Sequence, residues 1–351
     1  MVIGLAIPPA VKKCALILGM HRSGTSVISH AVETLGANLG HTLISSASDN
    51  SKGFFENKRI VNLNNELLTG LGCTWDSLNV PPIDEPYKEK VVSKICHTFT
   101  TEFGDADFYC IKDPRLIRLK EPWLDALNNM HIKPSFILAN RHPFEVARSL
   151  QKRNSIPKRV ALLLWITHQT SALSLVIQEG GMIIEYAEFL QNPRLKLEEI
   201  AQYLDIDVSK KQVEIDNFCC NFIDQKLRNN TFENKQGSLN EIEQLSLQLY
   251  RPINKLAEKK SGGTIKQALD TINLCAEYIN TRKEEIKRIQ EGFIEFKEAL
   301  SYLINEHEKT IAINIAENKK LQSEIDWIQS RPIMLLKRRI AKWLGLKNHL
   351  L

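Results

Sequence analysis

Four short apolar runs mark the chain up to residue 186, at 14–18, 108–111, 135–139 and 182–186, each closing in a polar or glycine-containing turn. Unbroken apolar runs of that length suit strands buried on both faces, and the intervals between them carry helical spacing of apolar residues. The spacing predicts helices over 25–35, 143–152, 160–178 and 193–204. Asn192-Pro193 opens the last of these, because proline is tolerated at the first helical position. Alternating strands and helices predict an α/β domain with a parallel sheet flanked by helices, spanning residues 1–260.

The pattern changes at Ser261-Gly262-Gly263, read as a hinge, and a helical region follows over 261–330. Within it Ile286, Ile289, Phe293, Phe296, Leu300, Leu303 and His307 recur in alternating steps of three and four, the seam of a coiled coil. A looser continuation runs back to Ile272 and forward through Ile311, Ile315, Leu321, Ile325 and Ile328, with Gly292 as a weak point. One unbroken helix over 265–330 would be on the order of 100 Å long. Two readings stand: a helical hairpin folded back on the first domain, or a coiled coil that makes a homo-oligomer. Residues 331–351 form a third segment, basic and amphipathic, without an acidic residue. Such a segment suits an anionic membrane surface or an acidic partner, or else docking on its own protein.

The chain has 351 residues, 43% hydrophobic and 25% charged, with a formal net charge of +5. That composition excludes collagen-like, low-complexity and disulfide-stapled classes, and so mild a charge does not point to a nucleic-acid partner. The seven cysteines are scattered, without a CxxC or Cys/His cluster, and are read as reduced core thiols of a cytoplasmic protein. The apolar opening of the chain has no basic start and contains two prolines, so it is read as neither signal peptide nor membrane span. Asn229-Asn230-Thr231 matches a glycosylation sequence and is given no weight.

The strongest chemical signal is Leu16-Ile17-Leu18-Gly19-Met20-His21-Arg22-Ser23-Gly24-Thr25-Ser26, a strand entering a small-residue turn before a helix. Gly19 and Gly24 let the backbone bend and approach a ligand, while the helix start favours negative charge. Thr25 and Ser26 add hydroxyls and Arg22 a permanent planar cation. The spacing is that of a nucleotide P-loop, but Thr25 stands where an ATPase carries its lysine, which argues against γ-phosphoryl transfer. A second cation, Arg141, closes the run ending at Asn140; its alternative role is a surface ion pair with Glu145.

With those residues in view, Gly19-Met20-His21-Arg22-Ser23-Gly24-Thr25-Ser26 resembles the 5′-phosphosulfate loop of PAPS-dependent sulfotransferases, especially bacterial and carbohydrate-type members. The stretch from Phe136 to Ser149, with its Asn140-Arg141-His142-Pro143 core, is similar to the same family's 3′-phosphate element. The resemblance implies a P-loop-NTPase-like fold and PAPS as donor without a metal. It also implies that Gly19, His21, Arg22, Ser23, Gly24, Thr25 and Ser26 hold the 5′ end, and Arg141 with Ser149 the 3′-phosphate. Ile183-Ile184-Glu185-Tyr186 resembles the segment near the adenine, which makes Tyr186 a ring contact or, equally, a core tyrosine. Trp165 is read as core.

Three residues stand as the base for an acceptor hydroxyl. Glu56, in Gly53-Phe54-Phe55-Glu56-Asn57, resembles the glutamate base of tyrosylprotein and bacterial sulfotransferases, and its neighbouring phenylalanines would exclude water; the alternative is a plain helix-start carboxylate. Lys112-Asp113-Pro114-Arg115 resembles the Lys-Asp-Pro of that branch, with Lys112 on sulfate or acceptor and Asp113 either capping a helix or imitating a Mg²⁺-binding aspartate. His21 is the third. The histidine of small-molecule sulfotransferases is absent from 112–115, which favours a carbohydrate or peptide acceptor. Arg228 is a weak late basic match. The reading is sulfuryl transfer from PAPS to a hydroxyl of a glycan or glycolipid by a cytoplasmic, membrane-peripheral enzyme. Its alternatives are a P-loop kinase or NTPase and a non-catalytic coiled-coil scaffold.

Overall fold

The computed structural model describes residues 12–45, 53–223, 238–258, 262–330 and 339. Arg228, the Asn229-Asn230-Thr231 sequence, Ser261, the apolar opening and the basic C-terminal segment other than Arg339 lie outside the described residues.

All four apolar runs are strands: β1 (Lys13–Leu18), β2 (Phe108–Lys112), β3 (Lys133–Asn140) and β4 (Met182–Glu185). They form one parallel sheet in the order β2-β1-β3-β4. After β1 come α1 (Thr25–Thr34), α2 (Lys58–Gly70) and α3 (Glu85–Phe103). A 3₁₀ turn (Pro114–Leu119) and α4 (Lys120–Asn129) follow β2, and α5 (Pro143–Asn154) with α6 (Lys158–Glu179) joins β3 to β4. Beyond β4 lie α7 (Tyr186–Gln191), α8 (Pro193–Tyr203), α9 (Gln212–Asn217), a π-turn (Phe218–Phe222) and α10 (Glu241–Glu258). The chain continues into α11 (Gly262–Thr281) and α12 (Lys283–Ser330).

Strand period two sorts the sheet's side chains onto its faces. Ala15, Ile17, Ile137 and Ala139 meet α1 and α8 through Val27, Ile28, Leu197 and Ile200 in one buried cluster, and α6 contacts β3. After β1 the chain turns toward β2, and after β3 it turns away toward β4. The crevice at the carboxyl ends of β1 and β3 is therefore the switch point at which α/β sheets bind ligands.

By length and mean hydropathy (1.6) α6 could cross a bilayer, yet 72% of that stretch is buried, so it serves here as a core helix. It carries His168, fully buried, whose Nδ1–H donates to Leu164 O at 2.7 Å. Burial, with the nearby Arg118 guanidinium, pushes this imidazole from 6.5 down to about 3. An unfolded chain takes up that proton below 6.5 and the folded chain does not. Stability from this group is thus complete above pH 6.5 and drains away as pH falls toward 3, by about 2 kcal/mol at pH 5. Thermal melts at pH 7 and pH 5 should show a smaller acid loss for His168→Gln than for the parent chain.

The helical region differs from a single rod. It breaks at Arg282, where the Arg282 amide still bonds Tyr278 O and Ile286 N bonds Arg282 O. The first piece, α11, packs on α10 and α6. The chain divides into two compact units, one ending at Gln290 and one running over 291–351. All seven cysteines are free; Cys14, Cys110 and Cys275 are buried, and burial pushes the last two thiols up to about 12.

Candidate active site

The turn after β1 needs its glycines. A Cβ on Gly19, at φ +128°, would lie 2.7 Å from Ala139 O of β3, and one on Gly24, at φ +94°, would lie 2.2 Å from the Tyr186 ring. Arg22 also takes a left-handed conformation, φ 70°, a strained geometry for a side-chain-bearing residue. The turn delivers the chain into α1 with Gly24 at the N-cap, no side-chain cap and no acidic residue in the first turn. The first-turn amides, which have no intrahelical acceptor, and the dipole thus leave an uncompensated positive end.

Arg22 and Arg141 meet at this turn. Arg141 Nη1 donates to Arg22 O at 3.1 Å, and Arg22 Nε donates to Ser149 Oγ at 2.8 Å. Arg141 is held by the end of β3 and Ser149 by α5. Pro143 starts α5, and His142 Nδ1 caps it by accepting from Phe144 N. The ion pair with Glu145 exists, Arg141 Nε to Oε2 at 3.0 Å, but it is buried and not a surface pair. It fixes one edge of the guanidinium while Nη2, also buried, has no hydrogen-bond partner among the described residues. Ser23 Oγ is in the same condition. Orphaned buried donors beside an uncapped helix start are what an anion would satisfy. Tyr186 is 4% exposed, packed against Gly24, with the Arg141 guanidinium 4.6 Å from its ring centroid. It braces the cradle from within the core. Trp165 is fully buried.

The other side of the turn holds a second buried ion pair. Lys112, last residue of β2, forms a buried ion pair with Glu56 and donates to Ser26 Oγ at 3.1 Å and Phe54 O at 3.0 Å. One ammonium thus joins the first turn of α1 to the segment carrying Glu56. That segment bends through Gly53 (φ 101°) and Phe55 (φ 52°). Ser29 Oγ–H donates to Phe55 O, Ile44 N donates to Glu56 O, and Asn57 caps α2. Glu56 precedes the cap, so the helix start is served by Asn57 and the Glu56 carboxylate is turned to Lys112.

Asp113 is committed elsewhere. Its Oδ1 accepts from Arg115 N and Nη1, and its Oδ2 accepts from Asn64 Nδ2, which in turn is fixed by Trp123. It caps the 3₁₀ turn opened by Pro114. Both oxygens are occupied, which leaves it poorly suited to a Mg²⁺ role. His21 lies edge-on to Trp75 with ring centroids 4.5 Å apart, and its Nε2 is buried without a hydrogen-bond partner among the described residues. Desolvation, then Arg115, His168, Lys112 and Arg153, push its pKa well below 6.5, so the ring is neutral.

Two residues escape the sequence reading. Arg115 is the guanidinium that weighs most on His21, and its Nε is buried and unbonded. Glu102 on α3 ties together Thr42 N, Asn57 Nδ2 and Arg59 Nε, the strand-like segments that pin Glu56. Burial works against its charge, but the bonds from Asn57 and Thr42 and the Arg59 cation outweigh it and hold the carboxyl below its ordinary range. A signal was present: Glu102 sits on the same helical stripe as Ile95, Phe99 and Phe103, where an apolar residue is expected.

No family model and no curated protein matches the chain. Among solved structures it is similar to the sulfotransferase domain of the Synechococcus PCC 7002 olefin synthase, at 15% identity over 72% of this chain and 96% of that one, TM-score 0.42. It is also similar to sulfotransferase STF9 from Mycobacterium avium, at 16% identity over 78% and 77%, TM-score 0.38. A third likeness is to the sulfotransferase domain from the curacin biosynthetic pathway, at 14% identity over 71% and 98%, TM-score 0.39.

Proposed function

We propose that the chain is a sulfotransferase that moves a sulfuryl group from PAPS to a hydroxyl of a carbohydrate or glycolipid. The observation that carries this reading is the contact of Arg141 with Arg22 O, which joins two cationic elements far apart in sequence into one cradle at the β1/β3 crevice. A ligand with anionic groups at both ends of a nucleoside needs two such donors at one site. Buried Arg141 Nη2 and Ser23 Oγ, with the open start of α1, fit it.

When bound, PAPS supplies the sulfuryl group on a phosphate leaving group. With PAPS bound, Glu56 would accept the proton of the acceptor hydroxyl, and the phosphate would depart toward Arg22 and the start of α1. Arg22 and the amides of Thr25 and Ser26 meet the charge that grows on the leaving phosphate. Lys112 holds Glu56 in place and, through Ser26, couples it to the turn. Gly53 and Phe55 bring Glu56 in from the side of α2, leaving the turn's face to the donor.

A P-loop kinase would use a lysine at this turn, and Lys112 reaches Ser26 from β2. In that reading Asp113 would be the metal-binding acid, and both of its oxygens already accept hydrogen bonds. Labelled-sulfate transfer from PAPS to a panel of glycans, glycolipids and peptides tests the proposal. Label on carbohydrate supports it; no transfer, with ATP hydrolysed instead, refutes it.

A further inference from the structure

α12, a helix of 48 residues, lies mostly in the second compact unit, and helices in proteins draw most of their stability from burying an apolar face rather than from propensity. Its early seam is partly spent: Phe293 is buried and Lys297 lies over its ring. From Leu300 onward the row shifts by one four-residue step and then runs Ile304, His307, Ile311, Asn314, Asn318, Leu321, Ile325 in alternating steps of three and four. Ile304, Ile311, Leu321 and Ile325 are 50%, 45%, 56% and 45% exposed.

We infer that α12 pairs with α12 of a second copy of this chain as a parallel, in-register, two-stranded coiled coil. The alternation assigns Ile304, Ile311, Asn318 and Ile325 to the a positions and His307, Asn314 and Leu321 to the d positions. Isoleucine holds three of the four a positions, with leucine at d only at Leu321, and an amide at a specifies register and partner number. The two asparagines select the occupant. Against an apolar partner each amide would be buried unpaired, whereas across a parallel two-fold pair Nδ2–H of one Asn318 donates to Oδ1 of the other. Charge agrees. In the parallel arrangement Glu317 faces Gln322 of the second copy, so no like charges meet across the seam, and Glu306, Lys309, Lys319 and Lys320 fall at positions away from it. Size agrees as well. One side of a cylinder 10–12 Å across and about 33 Å long, the reach of residues 304–325, offers roughly 570 Å², so two copies together clear the roughly 1,000 Å² that a specific interface needs.

Sedimentation equilibrium of the full chain at micromolar concentration should give twice the mass of one chain. Ile311→Lys/Ile325→Lys should give the mass of one chain, with helix content and binding of adenosine 3′,5′-bisphosphate unchanged, which separates failure here from failure of the active-site reading. Ile311→Cys should yield an oxidised, reductant-sensitive dimer well above the background from the chain's own cysteines. A monomeric parent chain, a dimer that survives the double lysine variant, or a dimer in which Cys at 311 does not cross-link would each overturn the inference.

Discussion

Arg141→Met/Glu145→Gln should weaken binding of adenosine 3′,5′-bisphosphate by about 30-fold to several thousand-fold, the effect of removing a buried charged donor worth roughly 2–5 kcal/mol. The double change is needed on physical grounds. Arg141→Met alone would leave the Glu145 carboxylate, 2% exposed, without its cation, and an uncompensated buried charge costs roughly 3–5 kcal/mol of fold stability. With glutamine at 145 no charge is left buried, while the bond from Arg141 to Arg22 O is lost with the guanidinium, so the variant removes the 3′ half of the cradle. Isothermal titration, with a melt to confirm folding, reads the outcome. Unchanged affinity would detach Arg141 from the nucleotide.

The second large effect concerns turnover. Glu56→Gln keeps an oxygen for Lys112 and nearly the same volume but takes the carboxylate from a buried ammonium, so a thermal melt accompanies the assay to separate lost stability from lost turnover. A base that accepts the hydroxyl proton in the transition state contributes typically 10²–10⁴-fold, and kcat should fall by about that factor with donor affinity little changed. A variant with normal kcat would remove Glu56 from the chemistry and return it to a structural partner of Lys112. Lys112→Met is the poorer probe, because it strands the Glu56 carboxylate in a site 7% exposed.

Much of this was legible in the chain. The four short apolar runs became strands covered on both faces, while the run 160–166 lies in the buried helix α6, and the turn after β1 was marked by glycines whose missing Cβ atoms leave room for Ala139 O and Tyr186. Arg22 and Arg141 were recognisable because each follows a strand. What was hidden depended on contacts between distant segments. Lys112 and Glu56 are 56 positions apart and meet only because β2 lies beside β1. Glu102 reads as an ordinary helix carboxylate until the segments around Thr42 and Asn57 fold onto it. Tyr186, open as either a ring contact or a core residue, is buried against Gly24, a proximity that spacing does not encode. The break at Arg282 also left no mark in the apolar periodicity, which runs through it from Ile272 to Ile289.

The account rests on one cradle gripping both ends of a doubly phosphorylated adenosine, and the most direct measurement compares ligands on the unaltered chain. Calorimetric titration with adenosine 3′,5′-bisphosphate, adenosine 5′-phosphate and ATP plus Mg²⁺ should rank the first well ahead of the other two, with the advantage over the 5′-phosphate disappearing in Arg141→Met/Glu145→Gln. Equal binding of the mono- and bisphosphate, or a preference for ATP with Mg²⁺, would contradict it.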